Sequence, residues 1–328
     1  MAHRAAMAGR LHLAVAMTPT LISGSANPAL AEAVAVRLGL RLAGRTLERF
    51  PDGELHVQIH EGLRGHDVYL LQPTAPPVDA HLLELLLLAD ACRRAGAARL
   101  TAVVPYFGYA RHDRRTRPGE PIGGRVVADL LSVGAIARVV SVDLHAAALE
   151  GFFPMPLEHL SAVPLLVEAL RPAVRPDTVV VAPDLGAVKL AERYARALDR
   201  PVVIVHKTRL TGRDVAVRSL VGDVRDRAPL LVDDMISTGG TIEAAVRAVL
   251  AAGAVPEVTV AASHGLFVGP AAERLRALPV RRLLVTDSVV LPGGLPLTLE
   301  VAGLAPLLGD AIEALHGDRS LGPMLAEG

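Results

Sequence analysis

The sequence predicts an α/β protein built on two mainly parallel sheets, and three observations predict it. Short apolar runs rich in Val, Ile and Leu alternate with helical patterns along the 328 residues, which is the order that strand–helix–strand units produce. Two such sets follow one another, and the length fits two domains of ~150 residues each. The sets also echo each other. Val139-Val-Ser-Val-Asp-Leu-His145 and Val179-Val-Val-Ala-Pro-Asp-Leu-Gly186 both run strand, acid, turn, helix start, so the fold reads as a duplication.

Taken in order, residues 1–17 read as a disordered extension. Arg4 and Arg10 followed by Leu11 to Met17 faintly resemble a secretory signal, but the apolar run is short and His12 breaks it. It also passes directly into Thr20-Leu-Ile-Ser23 and an amphipathic helix from Asn27, which a first strand–helix unit needs. The first set has strands at 21–22, 68–71, 100–104 and 138–142, with helices near 27–39, 79–95 and 122–134. Leu82 to Leu88 is too short for a membrane span, and Glu84 interrupts it. Cys92, the only cysteine, excludes an internal disulfide, and its apolar helical setting predicts a small buried thiol. Arg171-Pro-Ala-Val-Arg-Pro176 reads as a connector. The second set has strands at 179–182, 202–205, 230–232, 258–262 and 282–285, with helices near 186–198, 240–252 and 270–277. The expected division is 18–155, 156–302, and a C-terminal helix at 303–317 that can pack back on the first domain. With 34 basic and 34 acidic residues the chain presents no excess charge for a nucleic acid. A cytoplasmic enzyme with neither a nucleic-acid nor a membrane partner is expected.

The most informative segment is Leu230-Leu-Val-Asp-Asp-Met-Ile-Ser-Thr-Gly-Gly-Thr-Ile242. A buried strand leads through two carboxylates and a glycine turn into a helix start. Ser237, Thr238 and Thr241 supply hydroxyls, while Gly239 and Gly240 let the backbone come close, so the turn can aim several N–H groups at one phosphate. Asp233 and Asp234 only accept hydrogen bonds and repel anions, so they suit sugar hydroxyls or a metal. An ordinary strand-to-helix turn with a Ser/Thr cap is the plain alternative. The combination resembles the phosphoribosyl diphosphate (PRPP) loop of type I phosphoribosyltransferases and PRPP synthetases. Only the second half carries it. The equivalent strand end in the first half reads Val103-Val-Pro-Tyr-Phe-Gly-Tyr109.

Four further segments narrow the resemblance: Arg49-Phe-Pro-Asp-Gly-Glu54, Pro105-Tyr-Phe-Gly-Tyr-Ala-Arg-His-Asp-Arg114, Asp143-Leu-His145 with Gly151-Phe-Phe153, and Pro183-Asp184. In that order and spacing the chain resembles the ribose-phosphate diphosphokinase (PRPP synthetase) family over roughly residues 18–317. The resemblance implies two tandem type I phosphoribosyltransferase-like domains that make PRPP and AMP from ATP and ribose 5-phosphate with Mg²⁺. It implies that His145 and Asp184 hold the metal, and that Phe50, Asp52, Gly53, Glu54, Arg111 and His112 bind ATP. Asp233, Asp234, Ser237, Thr238, Gly239, Gly240 and Thr241 would bind ribose 5-phosphate together with Arg209. Lys207 and Arg209, on a turn-rich hairpin around Thr211-Gly-Arg-Asp214, would close over the triphosphate as the catalytic cations. The Phe50–Glu54 loop would reach a neighbouring subunit's adenine, so a homo-oligomer is implied, dimer-based, with a hexamer as one form.

Taken without the resemblance, His145 reads equally as a helix-start histidine and Asp143 as an N-cap acid. Lys207 and Arg209 read equally as a solvated basic hairpin. Four of the five phenylalanines lie in the motif segments, which argues against simple core filling, although domain packing is the plainer role for Phe152 and Phe153. The chain departs from the family at Ser237, where the best-known members carry a third aspartate, and at His112, where glutamine is usual. Thr208 sits inside the Lys-x-Arg pair, and Leu185-Gly-Ala187 follows Asp184. Ser237 keeps a hydroxyl for phosphate, as in the archaeal-type loop, and His112 puts nucleotide preference in question. Two other readings keep part of the pattern: a phosphoribosyltransferase that consumes PRPP, and a non-catalytic regulatory subunit associated with PRPP synthetase.

Overall fold

Two sheets carry the chain. The structure is a computed structural model that describes residues 17–209, 215–293, 295 and 299–326, with the backbone alone at 207–209 and 215–218. The expected N-terminal extension, the hairpin turn at 211–214 and the side chains of Lys207 and Arg209 therefore lie outside the described residues. The first part contains β1 (Pro19–Ser23), α1 (Pro28–Leu38), β2 (Arg45–Arg49), β3 (Leu55–Ile59), β4 (Asp67–Leu71), α2 (Val78–Arg94), β5 (Arg99–Val104), α3 (Gly123–Val133), β6 (Arg138–Val142) and β7 (Leu157–Leu160). The second contains α4 (Val163–Leu170), β8 (Thr178–Ala182), α5 (Val188–Leu198), β9 (Val202–Arg209), β10 (Val215–Val221), β11 (Ala228–Ile236), α6 (Gly240–Ala251), β12 (Val258–Gly265), α7 (Ala271–Arg276), β13 (Val280–Thr286), β14 (Leu299–Ala302) and α8 (Ala305–His316).

The first sheet is parallel throughout in the order β1-β4-β5-β6-β7. The second runs β10-β9-β8-β11-β12-β13-β14, parallel except for the antiparallel β9–β10 hairpin. Strands such as β4 and β8 are buried along their whole length, which is why they read as unbroken apolar runs rather than alternating ones. The first sheet is wound in one direction only. In the second, the chain moves outward from β8 to β10 and then returns to the other side of β8 as β11, so the winding reverses between β8 and β11. Ligands of open parallel sheets bind beyond the carboxyl ends of the strands at such a reversal.

One apolar cluster draws on both sheets and on α1, α4, α5 and α8, joining Leu30, Val34, Leu71, Val142, Tyr194, Val232, Leu308 and Ile312. The outer face of the first sheet is covered by α2 and α3, and that of the second by α6 and α7. The two halves thus share their largest core. Cys92 is fully buried in the α2 layer, and burial pushes its thiol up to about 12. Among the described residues no helix is long and apolar enough to cross a membrane. Glu84, which interrupts the leucine run of α2, is buried and accepts from Ser25 N (2.6 Å), Ser25 Oγ (2.6 Å) and Gln72 Nε2 (2.9 Å), fastening the turn after β1.

Several expectations are corrected. The prolines of 171–176 lie between α4 and β8, within the stretch from β7 to β8 over which the chain passes from one sheet to the other. Pro164 in the first turn of α4 starts that helix. Asp143 caps no helix through its own position. It is buried, and its carboxylate accepts from Ser161 Oγ, Ala162 N and Ser263 Oγ. Phe107 is a core residue despite its place in a motif, its ring centroid 5.4 Å from that of Phe153, which takes the packing role expected of it.

Candidate active site

The carboxyl end of β11 runs without a break into the glycine turn before α6. Gly239 takes φ +74 at the N-cap of α6, a left-handed conformation that costs glycine little and other residues more. The first N–H groups of a helix have no intrahelical acceptor, so the start of α6 presents donors at the turn. The turn is fastened from behind. Val268 N donates to Ser237 O (3.0 Å) and Arg274 Nη1 to Thr238 O (3.1 Å).

A cleft of about 650 Å³ opens over this turn and takes walls from both halves. Asp233, Asp234 and the stretch Ser237–Thr241 line it from the second sheet, with Asp184 at the end of β8, while Arg111 and His145 line it from the first half. His145 Nδ1 and Asp234 Oδ2 are 2.7 Å apart across the cleft. That bond, against the opposing pull of burial, raises the imidazole above its ordinary range. Burial pushes Asp234 up, but the His145 bond and charge outweigh it and hold the carboxyl below its usual range. Asp233 goes the other way. Its burial, followed by the Asp234 charge beside it, drives its carboxyl well above the usual range, so the pair reads as one charged and one protonation-prone acid. Asp184 Oδ1 accepts from Gly186 N (2.9 Å) and Ala187 N (3.3 Å), which turns the chain into α5 while the residue still lines the cleft.

Residues 19–134 match the family model described as the N-terminal domain of ribose phosphate pyrophosphokinase, and residues 167–282 match the one described as a phosphoribosyl transferase domain. The curated ribose-phosphate pyrophosphokinase of Gloeobacter violaceus is 44% identical over 306 residues, covering 93% of this chain and 92% of that protein. The chain belongs to the ribose-phosphate pyrophosphokinase family. Another pyrophosphokinase, from Rhodopirellula baltica, is 42% identical over 94% of this chain and 98% of its own length. The crystal structure of phosphoribosylpyrophosphate synthetase from Mycobacterium smegmatis superimposes with a TM-score of 0.86 at 38% identity, covering 92% of this chain and 99% of that one. The fold is accordingly that of the pyrophosphokinases, two phosphoribosyltransferase-like domains in tandem, and the chain is an enzyme of that class.

Within this pyrophosphokinase frame, the expected nucleotide-side residues separate. Arg111 lines the cleft and His112 does not. Phe50, Asp52, Gly53 and Glu54 form the tip of the β2–β3 hairpin, closed by Phe50 N to Glu54 O (2.8 Å) and Glu54 N to Asp52 Oδ1 (3.1 Å), and they lie off the cleft wall. Phe50 is 51% exposed, and its ring centroid lies 5.6 Å from that of His56. Arg114, which closes the Pro105–Arg114 segment but has no role assigned from sequence, lines the cleft too, as do Lys189 and Arg193, which the sequence does not single out. Lys189 and Arg193 are four apart on α5 and so share a helix face, a spacing that was available as a signal once Asp184 had been singled out.

Proposed function

We propose that the protein is an active ribose-phosphate diphosphokinase. The C1 hydroxyl oxygen of ribose 5-phosphate bonds to the β-phosphorus of ATP and its proton is released to solvent, the bond from that phosphorus to the α-phosphate oxygen breaks with its electron pair staying on AMP, and PRPP and AMP leave. The observation that carries this reading is a single cleft in which the phosphate turn, the acid pair and the ends of β6 and β8 converge. Ser237, Thr238, Gly239, Gly240 and Thr241 hold the 5-phosphate. Asp233 and Asp234 accept from the ribose hydroxyls. Lys207 and Arg209 sit near the carboxyl end of β9, the neighbour of β8 in the same sheet. They supply positive charge to the transferred group, while Arg111 and His112 take the nucleotide with Phe50, Asp52, Gly53 and Glu54 of a second copy. The exposed Phe50 at a hairpin tip off the cleft supports that homo-oligomeric arrangement, dimer-based with a hexamer as one form. The division of labour puts 18–155 on the ATP side and 156–302 on the ribose 5-phosphate side of a cytoplasmic enzyme, although β7 (Leu157–Leu160) pairs into the first sheet.

Mg²⁺ fits the donors present. It is usually bound by one or two carboxylates with substrate phosphates completing its shell, and seldom by an all-protein cage. Among the described residues no three His, Cys, Asp or Glu side chains form such a cage, yet Asp184, Asp233, Asp234 and His145 face one cleft. His145 and Asp184 would hold the ion, and the Nδ1 bond to Asp234 leaves Nε2 of His145 for it. When bound it neutralises charge on the transferred group.

The test is AMP and PRPP formation from ATP and ribose 5-phosphate by the purified protein with Mg²⁺. Activity is expected in the wild type and lost on chelation. Lys207→Ala is expected to lower kcat by about 10²–10³-fold, as for loss of one charge-stabilising donor, with ribose 5-phosphate affinity nearly unchanged. A wild-type protein that binds Mg-ATP yet yields no AMP would sink the reading.

A further inference from the structure

Tyr109 has features that the reaction outlined above does not use. Its φ is +64, a left-handed conformation that a bulky side chain adopts only where surrounding structure enforces it. The enforcement is visible. Its hydroxyl donates to Asp79 Oδ1 at 2.6 Å, and Asp79 stands in the first turn of α2, where the helix dipole favours a carboxylate. Its ring meets the His112 ring edge-on, with centroids 5.7 Å apart and planes at 76°. His112 N donates to Tyr109 O (2.9 Å), and Gly124 N donates to His112 O (3.1 Å). The start of α3 is built against both rings, since a Cβ on Gly123 would lie 3.0 Å from Tyr109 Cδ1 and 3.1 Å from His112 Cβ. Upstream, Gly108 N donates to Thr74 Oγ1 at 2.7 Å, and a Cβ on Gly108 would meet Thr74 O at 2.6 Å. The turn 108–112 is therefore held between the segment before α2 and the first turn of α3.

This turn ends on Arg111 and His112, the first of which lines the cleft. Tyr109 and Asp79 line no part of it, so any influence on the reaction passes through the residues that follow. The Asp79 bond raises the Tyr109 hydroxyl above its ordinary range and keeps it a donor.

We propose that Tyr109, anchored by Asp79, is a positioning residue that orients Arg111 and His112 and so sets the affinity for the nucleotide. This rests on the reading of Arg111 and His112 as nucleotide-side residues. Tyr109→Phe removes only the anchoring hydroxyl, and Asp79→Ala removes its acceptor. Asp79→Asn keeps a carbonyl oxygen in the same place. The test is equilibrium binding of Mg-ATP by calorimetry without ribose 5-phosphate, beside kcat and both KM values and thermal melting. Y109F and D79A are expected to weaken Mg-ATP about tenfold, the scale of one hydrogen bond to a charged group. The KM for ribose 5-phosphate should stay unchanged, and D79N should recover most of the loss.

Arg111→Ala and His112→Ala separate the two ways of failing. If they weaken Mg-ATP while Y109F and D79A do not, Tyr109 is structural and the proposal is overturned. If R111A and H112A leave Mg-ATP binding intact, the nucleotide-side reading fails and takes the proposal with it. A fall in melting temperature of Y109F without any change in Mg-ATP affinity would likewise overturn it.

Discussion

Asp143 is a buried carboxylate at φ +37, and its donors come from different parts of the chain. Ser161 Oγ (3.1 Å) and Ala162 N (3.0 Å) reach it from the passage between the halves, and Ser263 Oγ (2.5 Å) reaches it from β12. Beside it the fully enclosed His264 lies within hydrogen-bond reach of Val142 O (3.1 Å) and Ser288 Oγ (2.8 Å), with its ring edge-on to Tyr106. Replacing Asp143 with Ala leaves interior donors unpaired, each worth roughly 1–3 kcal/mol. D143A should therefore lose about 2–4 kcal/mol in urea unfolding, and D143N, which keeps one acceptor, should lose less. Equal losses in the two variants would show that the charge and not the acceptor geometry matters here.

At the scale of elements, the β11–α6 junction turns on Gly239. A Cβ there would meet nothing closer than Ala271 Cα at 3.6 Å, so space is available and the backbone alone sets the cost. Gly239→Ala should lower stability by roughly 1–2 kcal/mol from the left-handed φ and raise the KM for ribose 5-phosphate. Urea melts and initial rates check the two effects separately. This junction was legible in the sequence because all its parts are contiguous and its strand is buried on both faces. The β2–β3 hairpin was not legible. No residue of its strands is buried and they carry Arg-Thr-Leu-Glu-Arg and Leu-His-Val-Gln-Ile, so no apolar run announces them. β7 and β14 are four-residue edge strands that owe their pairing to a neighbour rather than to their own pattern. The contacts that complete the cleft and its surroundings were equally hidden, since His145 and Asp234 are 89 positions apart and Tyr109 and Asp79 are 30 apart. Local sequence shows which residue types are present at a strand end but not which other strand end they face.

Across the whole molecule, α8 leaves the second half and packs on α1 of the first, where Gly309 allows close approach to Arg37 and Arg37 pairs with Asp310. At its end, the fully buried Asp67 accepts from Arg99 through two bonds of 2.7 Å and pairs with His316 at 2.8 Å. Burial by itself pushes Asp67 up, but the Arg99, His316 and Tyr69 bonds outweigh it and hold its carboxyl below the usual range. With the folded value depressed, this stabilisation is fully present above the unfolded value of about 3.9 and is lost as pH falls through the folded one. Arg99→Ala strands a buried charge and should cost about 3–5 kcal/mol at neutral pH. Urea unfolding at pH 7 and at successively lower pH should show that difference shrinking once the pH falls below the unfolded value.

The position of α8 also bears on how the chain is made. The part of α1 that packs on α8 stays uncovered until α8 has left the ribosome. At the usual ~5–20 residues per second, translating from α1 to α8 takes roughly 15–55 s. Throughout that interval the nascent first half exposes part of its core to the cell, so chaperones that shield apolar surface are the expected first partners of this enzyme during its synthesis.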